Sequence, residues 1–223
     1  MLSPPLIWRK NSRARRLSLR VDPAKRAVII TLPPRISKKE GLAFLHSQSL
    51  WVRRAFEELP LKALDARSIL IEGINIPLFT EPNAKRGVWL DESGIHISGN
   101  AEHHERRLKD FLRRLAIERI TPFVKIYSQN MALFPSTLAL RDVRSRWGSC
   151  TRQGRLMLNW RLLLAPANIR DYVIIHELAH LKYFNHGSEF WSLVDQYCPQ
   201  GKEGRVSAEN WLKVHGPVLL SII

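Results

Sequence analysis

With 223 residues, 45% of them hydrophobic, the chain suits one large or two small domains and can fill a core, which excludes a disordered or low-complexity protein. Thirty-five Lys and Arg against 20 Asp and Glu leave a net charge of +15 and a pI near 10.5, so the partners to consider are anionic: nucleic acid, nucleotides or an acidic membrane surface. Two cysteines outside any Cys-x-x-Cys pair exclude a disulfide framework, no run approaches the about 18 apolar residues of a membrane helix, and the opening MLSPPLIW is not a signal peptide, so a reduced, cytoplasmic setting is expected.

Arg9, Lys10, Arg13, Arg15 and Arg16 crowd the first segment, and Leu17 to Val21 then alternates apolar and polar as a half-buried strand does. Ala27-Val28-Ile29-Ile30-Thr31-Leu32 is expected to pair with it through a turn at Asp22 to Arg26. The charge run suits phosphate, although a strand edge guarded by cations is its commoner use. Ser37 with Glu40 is a capping-box signal, and Leu42, Leu45, Leu50, Val52, Phe56 and Leu59 keep helical spacing up to Pro60, so one amphipathic helix over 37–59 is predicted. Short strands are expected next between 69 and 98, with turn signals at Glu72-Gly73 and at Asp91 to Gly94. The change from strand to helix period at Asn100-Ala101 divides the chain into an N-terminal β-rich module with one helix, 1–100, and a second domain, 101–223.

Residues 102–133 carry a long helix with Leu108, Leu112, Leu115, Ile120 and Val124 inward, which Pro122 is expected to kink or divide. His103 and His104 point apart on it and are read as exposed. Strands at 137–143 and 155–159 flank a turn at Arg152-Gln153-Gly154, and no base supports Ser149 or Cys150 between them as a nucleophile. Arg144, Arg146, Arg152, Arg155 and Arg161 cluster here. Guanidinium forks suit oxyanions, so Arg144 and Arg146 are candidate substrate-binding residues, with structural salt bridges the alternative.

Asn168 is the expected cap of a helix from Ile169 onward, and that helix contains His176-Glu177-Leu178-Ala179-His180. Residues four apart share a helix face, so His176 and His180 can grip one ion, while Glu177, about 100° round the helix, can reach a water on it without ligating. A site with an open position needs a third donor from outside the helix. His186 is placed to supply it after a turn that Asn185 and Gly187 would close in the left-handed conformation. Burying two His and a Glu unpaired in a core helix is costly, which favours metal ligands over structural histidines. Zinc fits best, with other divalent ions possible. Ser188 would cap a second helix whose Glu189 or Asp195 orients a ligating imidazole from behind. A last helix is expected from Ser207 to about Gly216.

Arg146-Trp147-Gly148-Ser149-Cys150, Leu158-Asn159, Leu163-Leu164-Ala165-Pro166, Asp171 to Leu181, Asn185-His186 and Phe190-Trp191 together resemble the YgjP-like family of zinc metallopeptidases, itself related to the SprT-like zincins. The resemblance implies an α+β fold, a zincin-like metallopeptidase domain of helices and a small sheet behind the N-terminal module. It implies zinc on His176, His180 and His186, Glu177 as catalytic acid and base, a peptide or protein substrate, and an edge strand beside the metal on which an extended substrate lies. The charge keeps two other readings open: a metal-dependent phosphohydrolase acting on nucleotides or other phosphate anions, and a nucleic-acid-associated protease of the SprT-like kind that works on bound proteins.

Overall fold

A computed structural model describes residues 4–23 and 25–223; Met1 to Ser3, part of the opening expected not to be a signal peptide, and Ala24 of the expected turn lie outside it. Internal packing divides the chain into two units, one of residues up to Lys62 with Ser221–Ile223, the other Ala63–Leu220. In the first, β1 (Leu6–Lys10), β2 (Ser18–Asp22) and β3 (Ala27–Leu32) form a sheet in the order β1-β3-β2. The antiparallel β2–β3 hairpin is the one predicted. β1, parallel to β3, falls partly in the stretch read only as a charge run, because Arg9 and Lys10 are both exposed and break the alternation. Val28, Ile30 and Leu32 on one face of β3 form a core with Val52, closed by Trp8, Leu17, Leu19, Ile36, Leu45 and Phe56.

Ser37 and Glu40 form the capping box. The single helix predicted after it is two, α1 (Lys38–Ser47) and α2 (Ser49–Glu57), which meet at Gln48 with φ −103° and ψ 15°. The Ser47 hydroxyl donates to the Phe44 carbonyl at 2.8 Å, competing with the helical ladder where the break occurs.

In the second unit a helical turn, α3 (Ala63–Ala66), precedes β4 (Ser68–Ile71), β5 (Ile74–Glu81), β6 (Val88–Leu90) and β7 (Ile95–Ser98), ordered β4-β5-β7-β6. The predicted turn at Glu72-Gly73 forms with φ of 51° and 81°. These strands pack with elements later in the chain: β6 and β7 against α4 (His104–Met131), and the β4–β5 turn against Trp160–Leu164, a 3-10 turn, where the Glu72 amide donates to the Leu163 carbonyl at 2.7 Å. The division therefore falls at Lys62/Ala63, whereas the change of period placed it at Asn100-Ala101. Period reports local conformation, not which core a strand joins.

α4 runs unbroken through Pro122 and buries Leu108, Leu112, Ala116 and Ile120 completely. His104, read as exposed, is buried with Nε2 2.7 Å from the Gly99 carbonyl. Strands β8 (Thr137–Arg141), β9 (Gly148–Cys150) and β10 (Arg155–Asn159) form a sheet ordered β8-β10-β9, leaving β9 at its edge. Helices α5 (Ala167–Ala179), α6 (Ser188–Tyr197) and α7 (Gly201–Leu219) complete the unit, and α5 lies against α4, α6, α7, β9 and β10. α7 begins at Gly201, not Ser207, because Gly204 tolerates a close pass of the Pro199 carbonyl that a Cβ would block. The architecture is the α+β mixture of helices and small sheets predicted, and no described helix is long and apolar enough to cross a membrane.

Two arginines are buried with carboxylates. Arg161, one of the five arginines clustered along the chain, takes the salt-bridge alternative: its wholly buried side chain pairs with Asp142, which Lys109 and Arg113 also reach. Burial alone would raise the Asp142 carboxyl, but hydrogen bonds from Arg161 and Lys109 outweigh it and hold the group well below the carboxylate range. Arg170, on α5, binds Glu72 at 2.8 Å and Asp171 at 2.9 Å over the Phe123 ring, fixing the start of that helix.

Candidate metal centre

α5 is a core helix: Ile174, Ile175, Leu178 and Ala179 are all fully buried, which fixes its rotation and sends His176 and His180 to a common side. Its first helical residue is Ala167, with Pro166 rather than Asn168 in the capping position. After Ala179 the chain leaves by tight turns, Leu181 to the Leu178 carbonyl and Lys182 to that of Ala179. Neither Asn185 nor Gly187 has positive φ, so the left-handed closure expected there does not occur. Gly187 takes the position before α6 that was expected of Ser188, and no side chain caps it. The turn still brings His186 back to the helix.

One donor nitrogen from each of His176, His180 and His186 lies within 4.8 Å of the other two. The remaining ring nitrogens of the two helix histidines are engaged. His180 Nδ1 sits 3.0 Å from the Tyr183 carbonyl, which can only accept, so Nδ1 carries the proton and Nε2 keeps its lone pair. The Tyr172 hydroxyl donates to Glu209 at 3.1 Å and therefore accepts from His176 Nδ1 at 3.3 Å, freeing that Nε2 as well. Two nitrogens bound at about 2.0 Å to one tetrahedral ion lie about 3.3 Å apart. Nε2 of His176 and Nε2 of His186 are 3.2 Å apart. Burial, with the neighbouring His180 and His186 adding to it, pushes His176 down to about 3, and burial lowers His180 too, so both stay neutral as ligands must. Phe190 packs against all three imidazoles and Trp191 against His176 and His186. The donor set fits one divalent cation.

Glu177 is buried beside this cluster, and burial raises its carboxyl to about 7 against the opposing pull of the Arg146 guanidinium. The carboxylate rests on the backbone of β9. A Cβ on Gly148 would lie 2.5 Å from Glu177 Oε1 and 2.6 Å from Cδ, so only glycine lets the edge strand and the carboxylate occupy these places together. Next along β9, burial and then the Glu177 charge push the Cys150 thiol up to about 11, which keeps it protonated and agrees with the sequence reading that it is no nucleophile.

Of the candidate residues, the structure gathers His176, His180, His186 and Glu177, with Arg146 in electrostatic reach of Glu177. Arg144 is exposed and forms no ion pair among the described residues. The orienting role expected of Glu189 or Asp195 is taken by Tyr172, with Glu209 behind it, and by the Tyr183 carbonyl. Asp195 instead pairs with Arg205, which also holds Glu209, and Glu189 is exposed at the first turn of α6. Tyr172 was within reach of the sequence, lying one helical turn before His176. Gly148 and Glu209 were not, since nothing local ties them to the site.

No curated protein matches the chain. Among solved structures, the crystal structure of the metallopeptidase zymogen of Pyrococcus abyssi abylysin is 19% identical, with 47% of this chain aligned to 99% of that one at a TM-score of 0.39. The model of the YgjP-like metallopeptidase domain matches residues 15–215, a span that includes the three histidines, Glu177, Gly148, Tyr172 and Glu209. The chain belongs to the YgjP-like metallopeptidase-domain family.

Proposed function

We propose that the chain hydrolyses peptide bonds with one divalent cation, zinc by the chemistry of its donors, held by His176, His180 and His186. The observation that carries this reading is the meeting of three imidazoles, two with their outer nitrogens already bonded, beside a buried Glu177. When bound, such a cation supplies Lewis-acid chemistry, polarising a carbonyl and acidifying water. Glu177 takes the proton of the attacking water and passes it to the departing amine, and a carboxyl poised near about 7 can do both at neutral pH. The free edge of β9 offers backbone hydrogen bonds to an extended peptide without reading its side chains. Arg146, whose charge reaches Glu177, supplies a guanidinium for a carbonyl or carboxylate of the substrate.

The protein loaded with zinc and incubated with a quenched-fluorescence peptide library is expected to cleave peptides, to stop on chelation and to recover on adding zinc back. Hydrolysis of a nucleotide panel with the peptides left intact would contradict the peptidase reading and favour the phosphate one. Gly148→Ala is expected to lower kcat for a cleaved peptide by about 100-fold, the cost of displacing a reacting group by about 1 Å, with zinc content unchanged and the unfolding midpoint lowered by the overpacking. An unaltered kcat would show that Glu177 has room to move.

A further inference from the structure

The charge of this chain is unevenly placed. Residues 1–62 hold 14 Lys and Arg against 4 Asp and Glu, a net of +10, and the remaining residues hold 21 against 16, a net of +5. Sheet topology concentrates the excess further. β1 runs parallel to β3 with Lys10 opposite Leu32, and β2 runs antiparallel with Ser18 opposite Thr31, so the end of β1, the start of β2 and the end of β3 share one end of the sheet. The 11–17 loop joins β1 to β2 at that end, held by the Asn11 amide on the Leu32 carbonyl at 3.0 Å and by the Arg13 amide on Asn11 Oδ1 at 3.0 Å. It adds Arg13, Arg15 and Arg16 to Arg9 and Lys10, and the exit from β3 adds Arg35.

All six side chains are exposed, and none forms an ion pair among the described residues. The acidic residues of the unit do not answer them. Asp22 is at the opposite end of the sheet, Glu40 is spent on Ser37 in the capping box, Glu57 pairs with Arg53 near the end of α2, and Glu58 follows at the C-cap of that helix. Six cations held by one loop and two strand ends, uncompensated within their own unit, exceed what solubility or an edge guard requires. Five of the six are Arg, whose planar fork matches phosphate oxygens. The residues between them are Asn11, Ser12, Ala14 and Leu17, and Leu17 packs into the core, so this end offers no apolar anchor for a lipid surface.

We propose that this end of the N-terminal sheet is a docking surface for the phosphodiester backbone of nucleic acid, read without regard to base sequence. Each phosphate contact steepens the fall of log affinity with log salt by about 0.9 on duplex DNA. The full-length protein should therefore bind a labelled mixed-sequence DNA duplex in a fluorescence-anisotropy titration and lose about 1,000-fold in affinity between 50 and 200 mM salt. Replacing Arg13, Arg15 and Arg16 together by Ala should weaken binding at least about tenfold and cut the salt slope by about 3. Replacing Arg114, Arg119 and Lys125 on α4 by Ala removes the same charge elsewhere and should leave the slope within about 1 of wild type. Zinc content and unfolding midpoint should match wild type in both triple variants. Equal losses from the two would show diffuse charge and overturn the proposal. So would tighter binding to phosphatidylserine vesicles than to the duplex, or no binding to the duplex at 50 mM salt.

Discussion

Glu177→Gln is expected to lower peptide hydrolysis by about 10²- to 10⁴-fold, the usual share of a positioned general acid and base. The variant should still hold its cation, because the three donor nitrogens belong to His176, His180 and His186, and the first two are oriented by Tyr172 and the Tyr183 carbonyl, not by Glu177. The glutamine fills the same space against Gly148, so folding should not confuse the result. Turnover and metal content must be measured on one preparation. A Gln variant with near wild-type turnover would remove Glu177 from the chemistry, and one that loses its metal would make Glu177 a structural partner of the ligands.

Asp142→Asn is expected to destabilise the second unit by about 3–5 kcal/mol, since it strips the wholly buried Arg161 side chain of its carboxylate. For a chain of this size that is a drop in Tm of about 10 °C or more. The same pair gives stability a pH dependence of known sign. The folded carboxyl lies below its unfolded value of about 3.9, so its contribution is complete above that pH and disappears as pH falls through the folded value. Thermal unfolding between pH 3 and pH 7 should therefore show wild type and Asp142→Asn converging in acid. Parallel curves would mean that Arg161 does not depend on this partner. Replacing Asp142 by Leu and Arg161 by Met together should recover much of the loss, because the penalty lies in a buried charge that has lost its carboxylate rather than in a missing contact.

These two cases also mark what could be read from the amino-acid order. His176, Glu177 and His180 are legible because a helix turns an i, i+4 spacing into a shared face, and His186 comes soon after as a third donor. The capping box at Ser37 and the turn at Glu72-Gly73 are equally local, and both form. Asp142 and Arg161 lie on either side of a hairpin, and although a salt bridge was one reading of the arginine cluster, sequence gives no measure of burial that would single out this pair. The parallel β1 escaped for a related reason: its partner lies about twenty residues on, and its exposed Arg9 and Lys10 show no alternation. Gly148 is the clearest loss. Its role comes from a close approach between an edge strand and a helix side chain, and a glycine in a row of residues does not announce what passes beside it. Within the site, the sequence supplies the three histidines and the structure supplies the groups that fix the tautomers of His176 and His180.

The proposed peptidase chemistry depends on three imidazoles sharing one ion. Native mass spectrometry of the purified protein, after zinc loading and removal of loosely bound metal, measures that directly. One zinc per chain in the wild type, lost from each of His176→Ala, His180→Ala and His186→Ala, is the result this arrangement predicts. A wild type that takes up no zinc, or a His186→Ala variant that retains it in full, would contradict it.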